Sequence, residues 1–189
     1  MTNAHKRRKQ PDLVRHQLLD VAARLCLENG LHGLTLDAVA KEAGVSKGGL
    51  LHHFPSKQAL LDALSQACLD ELEGRIVEQL DKEKEVSRGR FSRAYLRASA
   101  DSLSRPDREC WDNLGVLFMS DAGMRVNWHT WLTRKLAEHK ETDDGISSII
   151  VRLAADGLWM SNFAGSPGIS QAKRKLLIRR LTSMAGEDS

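Results

Sequence analysis

The sequence predicts an all-α protein of about nine helices, short ones gathered at the N-terminus and longer ones after them. Three observations carry that expectation. Apolar residues recur every three or four positions almost throughout, alternating runs of β-branched residues are nearly absent, and 189 residues include only four prolines. With 41% hydrophobic residues the chain can bury a real core.

The first element is a polar tail. Residues 1–11 begin "MTNAHKRRKQ", with no apolar face and four adjacent charges from Lys6 to Lys9, and read as a disordered basic arm, either solvated or following a nucleic-acid backbone. A first helix is expected from Leu13 to Asn29 on the stripe Leu18, Val21, Ala22, Leu25 and Cys26, with Gly30 as a left-handed cap. Thr35 then caps a short second helix, "LDAVAKEAG", whose Asp37 suits the positive end of the helix dipole and which Gly44 ends. Ser46 caps a third, "KGGLLHHF", stopped by Pro55, and Ser56 opens a long fourth helix reaching Lys82.

Two short helices joined by a glycine turn and backed by a third form a helix-turn-helix, whose second helix enters the DNA major groove. That explains an otherwise costly choice. Gly48 and Gly49 together weaken a helix by roughly 2 kcal/mol relative to alanine, but on a helix pressed into a groove they let the backbone approach bases and phosphates. Close packing of helices is the internal alternative. Lys47, His52, His53 and Lys57 add cationic or hydrogen-bonding groups, while Leu50 and Phe54 form the inward seam. The adjacent histidines point about 100° apart and no third ligand has the right spacing, so no metal site is expected.

Charge agrees with this division. The chain carries +3 overall, but residues 1–57 hold nine Lys/Arg and five Asp/Glu, leaving the remainder near −1. Three widely spaced cysteines, Cys26, Cys68 and Cys110, suggest neither disulfides nor zinc and suit a reducing cytoplasm. No apolar run approaches a membrane span and no secretory leader is apparent, so a soluble cytoplasmic protein is expected.

The motif is specific enough to resemble a known family. Residues 15–61 resemble the DNA-binding domain of the TetR family of bacterial transcriptional repressors, through Gly30, Thr35 and the run "AKEAGVSKGGLLHHFPSKQAL". The resemblance implies a helix-turn-helix domain at 12–57, a ligand-binding and dimerisation domain at 58–189, and a homodimer on double-stranded operator DNA. It matches Thr35 to a cap near a phosphate, Lys47 to the start of the recognition helix, and Lys57 to a phosphate-contacting lysine. Ser46, Gly48, Gly49, His52 and His53 complete the expected DNA contacts. Two positions depart: Gly49 stands where most members have Thr, and Leu51 where most have a phosphate-binding Tyr. His52 is expected to take over that backbone contact.

Beyond residue 58, helices are expected at Phe91–Leu103, Glu109–Ser120, Met124–His139, Asp144–Phe163 and Ser170–Met184, with "AGSPG" as the clearest break. All four tryptophans lie here. Trp111, Trp128, Trp131 and Trp159, with Phe118, Met119, Met160, Phe163 and Asp156, are expected to line an apolar pocket for a small hydrophobic effector, with a flat cation as one form of it. Taken singly, each aromatic reads first as ordinary core; their concentration is what points to a pocket. Ile150, Leu153, Gly157, Leu177, Ile178 and Leu181 are expected at a dimer interface formed by the last two helices; completing the monomer's own core is the alternative.

An enzyme is disfavoured because no phosphate loop, nucleophile elbow or HExxH appears. Cys110 and His129 are the remaining thiol–imidazole candidates, and no cofactor is expected. Nothing in the sequence separates repressor from activator.

Overall fold

The computed structural model describes residues 3–83, 85–100, 106–164 and 168–187, with side chains from 12 onward except 106–109. The described residues form ten helices: α1 Asn3–Gly33, α2 Leu36–Glu42, α3 Lys47–His53, α4 Lys57–Lys82, α5 Arg90–Ala100, α6 Pro106–Phe118, α7 Ala122–Glu138, α8 Lys140–Asp143, α9 Ile146–Ala164 and α10 Gln171–Met184.

Several boundaries follow from side chains that replace missing helical partners at N-termini. The hydroxyls of Thr35, Ser46 and Ser56 each accept a backbone N–H three residues on, at 3.1 Å. Ser170 does the same for Lys173 at 3.3 Å. Gly44, at φ +68°, makes the left-handed turn between α2 and α3 that a Cβ would strain.

Three differences from the expected elements have physical reasons. Backbone helix begins at Asn3, in the stretch read as a disordered arm; Ala, Lys, Arg and Gln there are good helix formers that extend a helix already anchored further on. Gly30 interrupts the helix with the positive φ expected of a cap, at φ 71° and ψ 170°, but α1 resumes beyond the kink for three further residues. α8 has no counterpart among the expected helices, because four residues show no period. Its Asp143 is nevertheless central, accepting from the backbone N–H groups of Phe91 at 3.2 Å and Ser92 at 2.7 Å. A buried carboxylate there caps α5 from another element and complements its dipole. The end of the expected Phe91–Leu103 helix and most of "AGSPG" lie outside the described residues.

Two cores result. The first gathers Leu18, Ala22 and Cys26 of α1, Val39, Leu50, Phe54, Leu60 and Leu64, and then Leu114, Phe118 and Met124 from α6 and α7. The second gathers Ile76, Phe91, Tyr95, Leu96, Trp131, Val151, Leu158 and Leu181. The boundary expected at residue 57 is therefore bridged: α6 packs directly on α1 as well as on α4.

Candidate functional site

At the N-terminal end, α3 turns Leu50 and Phe54 into the core and leaves Lys47, Gly48, Gly49, Leu51 and His52 exposed. Arg15 lies over the Phe54 ring, 5.1 Å from its centroid, fixing the seam from the α1 side. Thr35 and Ser46 are exposed at the starts of α2 and α3, where their hydroxyls serve as caps. His53 is half-buried and leans on Phe54, with ring centroids 6.4 Å apart, so packing occupies part of its ring.

Two lysines have partners that the sequence did not reveal. Lys47 Nζ lies 2.9 Å from Asp37 Oδ1, an exposed pair that offsets the lysine charge at the start of α3. Lys57 Nζ donates to the His32 carbonyl at 3.1 Å, joining the start of α4 to the end of α1. Gly48 is the opposite case. A Cβ built there would meet nothing within 4 Å, whereas one on Gly49 would stand 3.3 Å from the Ser46 cap oxygen. Internal packing therefore does not account for Gly48.

Between α4, α5, α6, α7 and α9 lies a cavity of about 260 Å³, within the order of size of small-molecule sites. Of the expected residues, Trp111, Phe118, Met119, Trp128, Asp156, Trp159 and Met160 line it. Trp131 does not: it is buried in the second core, its indole N–H donating to Glu73 at 2.9 Å. Phe163 is 60% exposed on α9 and faces away from any core. Both are aromatic and at helical spacing from true lining residues, which is why the sequence could not separate them.

The polar lining is more structured than expected. Arg75, buried on α4, pairs with Asp112 of α6 at 2.9 Å and 3.4 Å. An arginine in an amphipathic helix reads as solvent-facing, so only the partner on α6 gives it away. Across the cavity the Tyr95 hydroxyl donates to Asp156. Burial raises the Asp156 carboxyl above its ordinary range, opposed by that hydrogen bond and by the positive Arg152. Burial also raises the Tyr95 phenol well above its usual value.

Trp159 crosses α6 where a glycine makes room: a Cβ on Gly115 would stand 3.2 Å from its Cζ2 atom. Cys68 also lines the cavity. Burial pushes the Cys26 thiol up to about 11 and raises Cys110, so both stay protonated at neutral pH. Cys110 packs against the first core while His129 is exposed on α7, and the structure does not pair them. Among the described residues no group of three His, Cys, Asp or Glu could hold a metal ion, and no helix is long and apolar enough to cross a membrane.

The expected interface residues divide. Ile150, Leu153, Gly157 and Leu177 are exposed on α9 and α10, with Ile146, Phe163 and Leu176 exposed beside them in sequence. Leu181 is buried and Ile178 packs against the monomer's second core, because they lie on the side of α10 turned toward α5 and α9.

An exposed recognition helix is suited to DNA and an apolar cavity to a small molecule, so a chain in which the cavity shares residues with the core beneath that helix is a DNA-binding regulator that responds to a ligand. Comparison with known proteins agrees. Residues 18–64 match the bacterial regulatory proteins of the tetR family and residues 89–186 the tetracyclin repressor-like C-terminal domain. The chain belongs to the TetR family, whose members are DNA-binding regulators and not enzymes.

The regulator BetI of Burkholderia ambifaria is 29% identical over 182 residues, covering 87% of this chain and 90% of that one. The repressor KstR2 of Rhodococcus jostii is 40% identical over 84 residues, 44% of this chain but only 38% of that protein. The multidrug binding protein EbrR, solved in complex with malachite green, superimposes with a TM-score of 0.67 at 20% identity, over 88% of this chain and 96% of that one.

Proposed function

We propose that the chain is a transcriptional repressor that binds an inverted-repeat operator as a homodimer and releases it when a small hydrophobic cation enters the cavity. The observation that carries this reading is the shared wall. Phe118 and Met124 line the cavity and also belong to the core that holds α1, α2 and α3, with Trp111 packed against it. A ligand that repositions these side chains acts directly on the seating of the recognition helix. If it binds better to a conformer with wrongly spaced recognition helices, it weakens DNA binding by the same factor.

The preference for a cation rests on charge and aromatic rings. Arg75 and Asp112 pair with each other, which leaves Asp156, hydrogen-bonded by Tyr95, as the other acidic group on a mainly apolar lining that also holds Trp111, Trp128 and Trp159. Indole faces and a carboxylate together suit a flat monocation. EbrR, which shares the fold, was solved with a dye in place. The dimer reading rests on the apolar residues exposed on α9 and α10, and on two half-sites needing two recognition helices. Such a regulator acts in the cytoplasm, where the DNA is.

Fluorescence-anisotropy titration against the chain's own promoter and a scrambled duplex, at several salt concentrations, tests the operator. Tight, salt-dependent binding with a promoter preference is expected; equal weak binding to both rejects this operator assignment. Adding cationic dyes or fatty acids to the promoter complex tests the effector. Release by the dyes is expected, and release by fatty acids alone rejects the cation.

A further inference from the structure

Leu51 is an apolar side chain left in solvent on the helix that reads DNA: it is 37% exposed, whereas Leu50 and Phe54 on the same helix are buried. Helical spacing places it beside Gly48, three residues earlier, and Lys47, four earlier. Gly48 contributes no side chain, and the space its Cβ would fill is open. An isobutyl group therefore borders a bare notch of backbone on the outer face of α3.

That pairing limits what the patch can touch. Leucine has no donor, so it cannot hold a phosphate, and pressing it against one removes water without a hydrogen bond in return. The C5-methyl of thymine is the apolar group that a base pair presents in the major groove. We infer that Leu51 and the Gly48 backbone form a seat for a thymine C5-methyl in each half-site, which makes Leu51 a specificity-determining residue. Lys47, held by Asp37, borders the same seat and supplies a donor for a neighbouring base edge. The inference rests on α3 being the DNA-reading helix.

The test begins with an operator recovered from randomised duplexes by the full-length protein. Each thymine of that operator is then replaced by deoxyuridine, which removes the methyl group and changes nothing else. The expected result is one thymine per half-site whose replacement weakens wild-type binding about fourfold, and about fifteenfold when both half-sites are changed, as for loss of one buried carbon each. Leu51→Ala binds the parent operator more weakly and no longer distinguishes it from the deoxyuridine form. Leu51→Met keeps most of the distinction. Since Leu51 is exposed and alanine favours helix, unchanged circular dichroism and melting accompany the alanine variant.

Wild-type binding that is indifferent to deoxyuridine at every thymine overturns the methyl seat while leaving the operator assignment intact. So does an alanine variant that is as sensitive as wild type. Failure to enrich any sequence overturns the DNA-reading role of α3 and this inference with it.

Discussion

Gly48 and Asp156 show how single residues divide between stability and function. A glycine inside a helix costs about 1 kcal/mol relative to alanine, and nothing in the folded chain surrounds the missing Cβ at 48. Gly48→Ala is thus expected to raise the melting temperature by about 2–4 °C while weakening operator binding about tenfold or more, as the new methyl enters the DNA-facing notch. Thermal melts and anisotropy on the same preparation decide it; undiminished binding assigns Gly48 no role in reading. For Asp156, burial first, against the Tyr95 hydrogen bond and Arg152, raises the carboxyl above its ordinary 3.8. The folded state then holds that proton more tightly than the unfolded one, so stability falls as pH rises from 3.8 through the raised value and is level above it. Asp156→Asn keeps an acceptor for Tyr95 and is expected to melt no lower than wild type at neutral pH. The difference fades as pH falls below 3.8. A cation in the cavity favours the ionised carboxylate, so its affinity for wild type rises with pH across the same window. In the variant it is about tenfold weaker and flat with pH, by calorimetric titration. Tryptophans announced the cavity in the sequence; Arg75 did not, because its meaning depends on Asp112, 37 residues away on another helix.

At the scale of elements, what was legible was local. Thr35, Ser46 and Ser56 lie at their predicted caps because a cap is decided within four residues of chain, and Ser170, expected as the first residue of the last helix, caps it. Asp121 also caps α7, accepting from Met124 at 3.0 Å, so the helix starts at Ala122, two residues before the expected Met124. What was not legible was pairing between elements: α8, whose Asp143 caps α5, and α6, whose side chains complete the core of α1. Lys57 belongs to this scale because it ties α4 to the C-terminal carbonyl of α1 while standing near the expected path of the phosphates. Lys57→Ala is expected to weaken operator and random duplexes alike and to reduce the salt slope by about 1. The same variant loses a mainly exposed hydrogen bond, lowering the melting temperature by about 2–4 °C at most. A loss confined to the operator, with an unchanged salt slope, removes the phosphate role and leaves the tie to α1 as its function.

For the whole molecule, the question is what covers α9 and α10. Leu153 is 66% exposed, and Ile150 and Leu177 are exposed with it, on helices that otherwise close the second core. A Cβ on Gly157 would meet nothing within 4 Å, so the monomer leaves room for another helix to approach closely there. In the proposed homodimer, a two-fold axis through this region sets each Leu153 against the partner's copy of the same side and fixes the separation of the two recognition helices. Leu153→Asp places one carboxylate per protomer in that contact, and symmetry doubles the cost of burying it. The expected outcome is a monomer at micromolar concentration by analytical ultracentrifugation, with unchanged circular dichroism because Leu153 has no role in the monomer's core. Operator affinity is expected to fall by about a hundredfold or more, since a monomer engages a single half-site and loses the effective concentration of the second. The cavity is lined within one protomer, so binding of a cationic dye is expected to persist in the monomer. That result separates sensing, which one chain performs, from reading, which two perform. A dimer that survives Leu153→Asp moves the axis elsewhere on the molecule, and with it the spacing on which effector release depends.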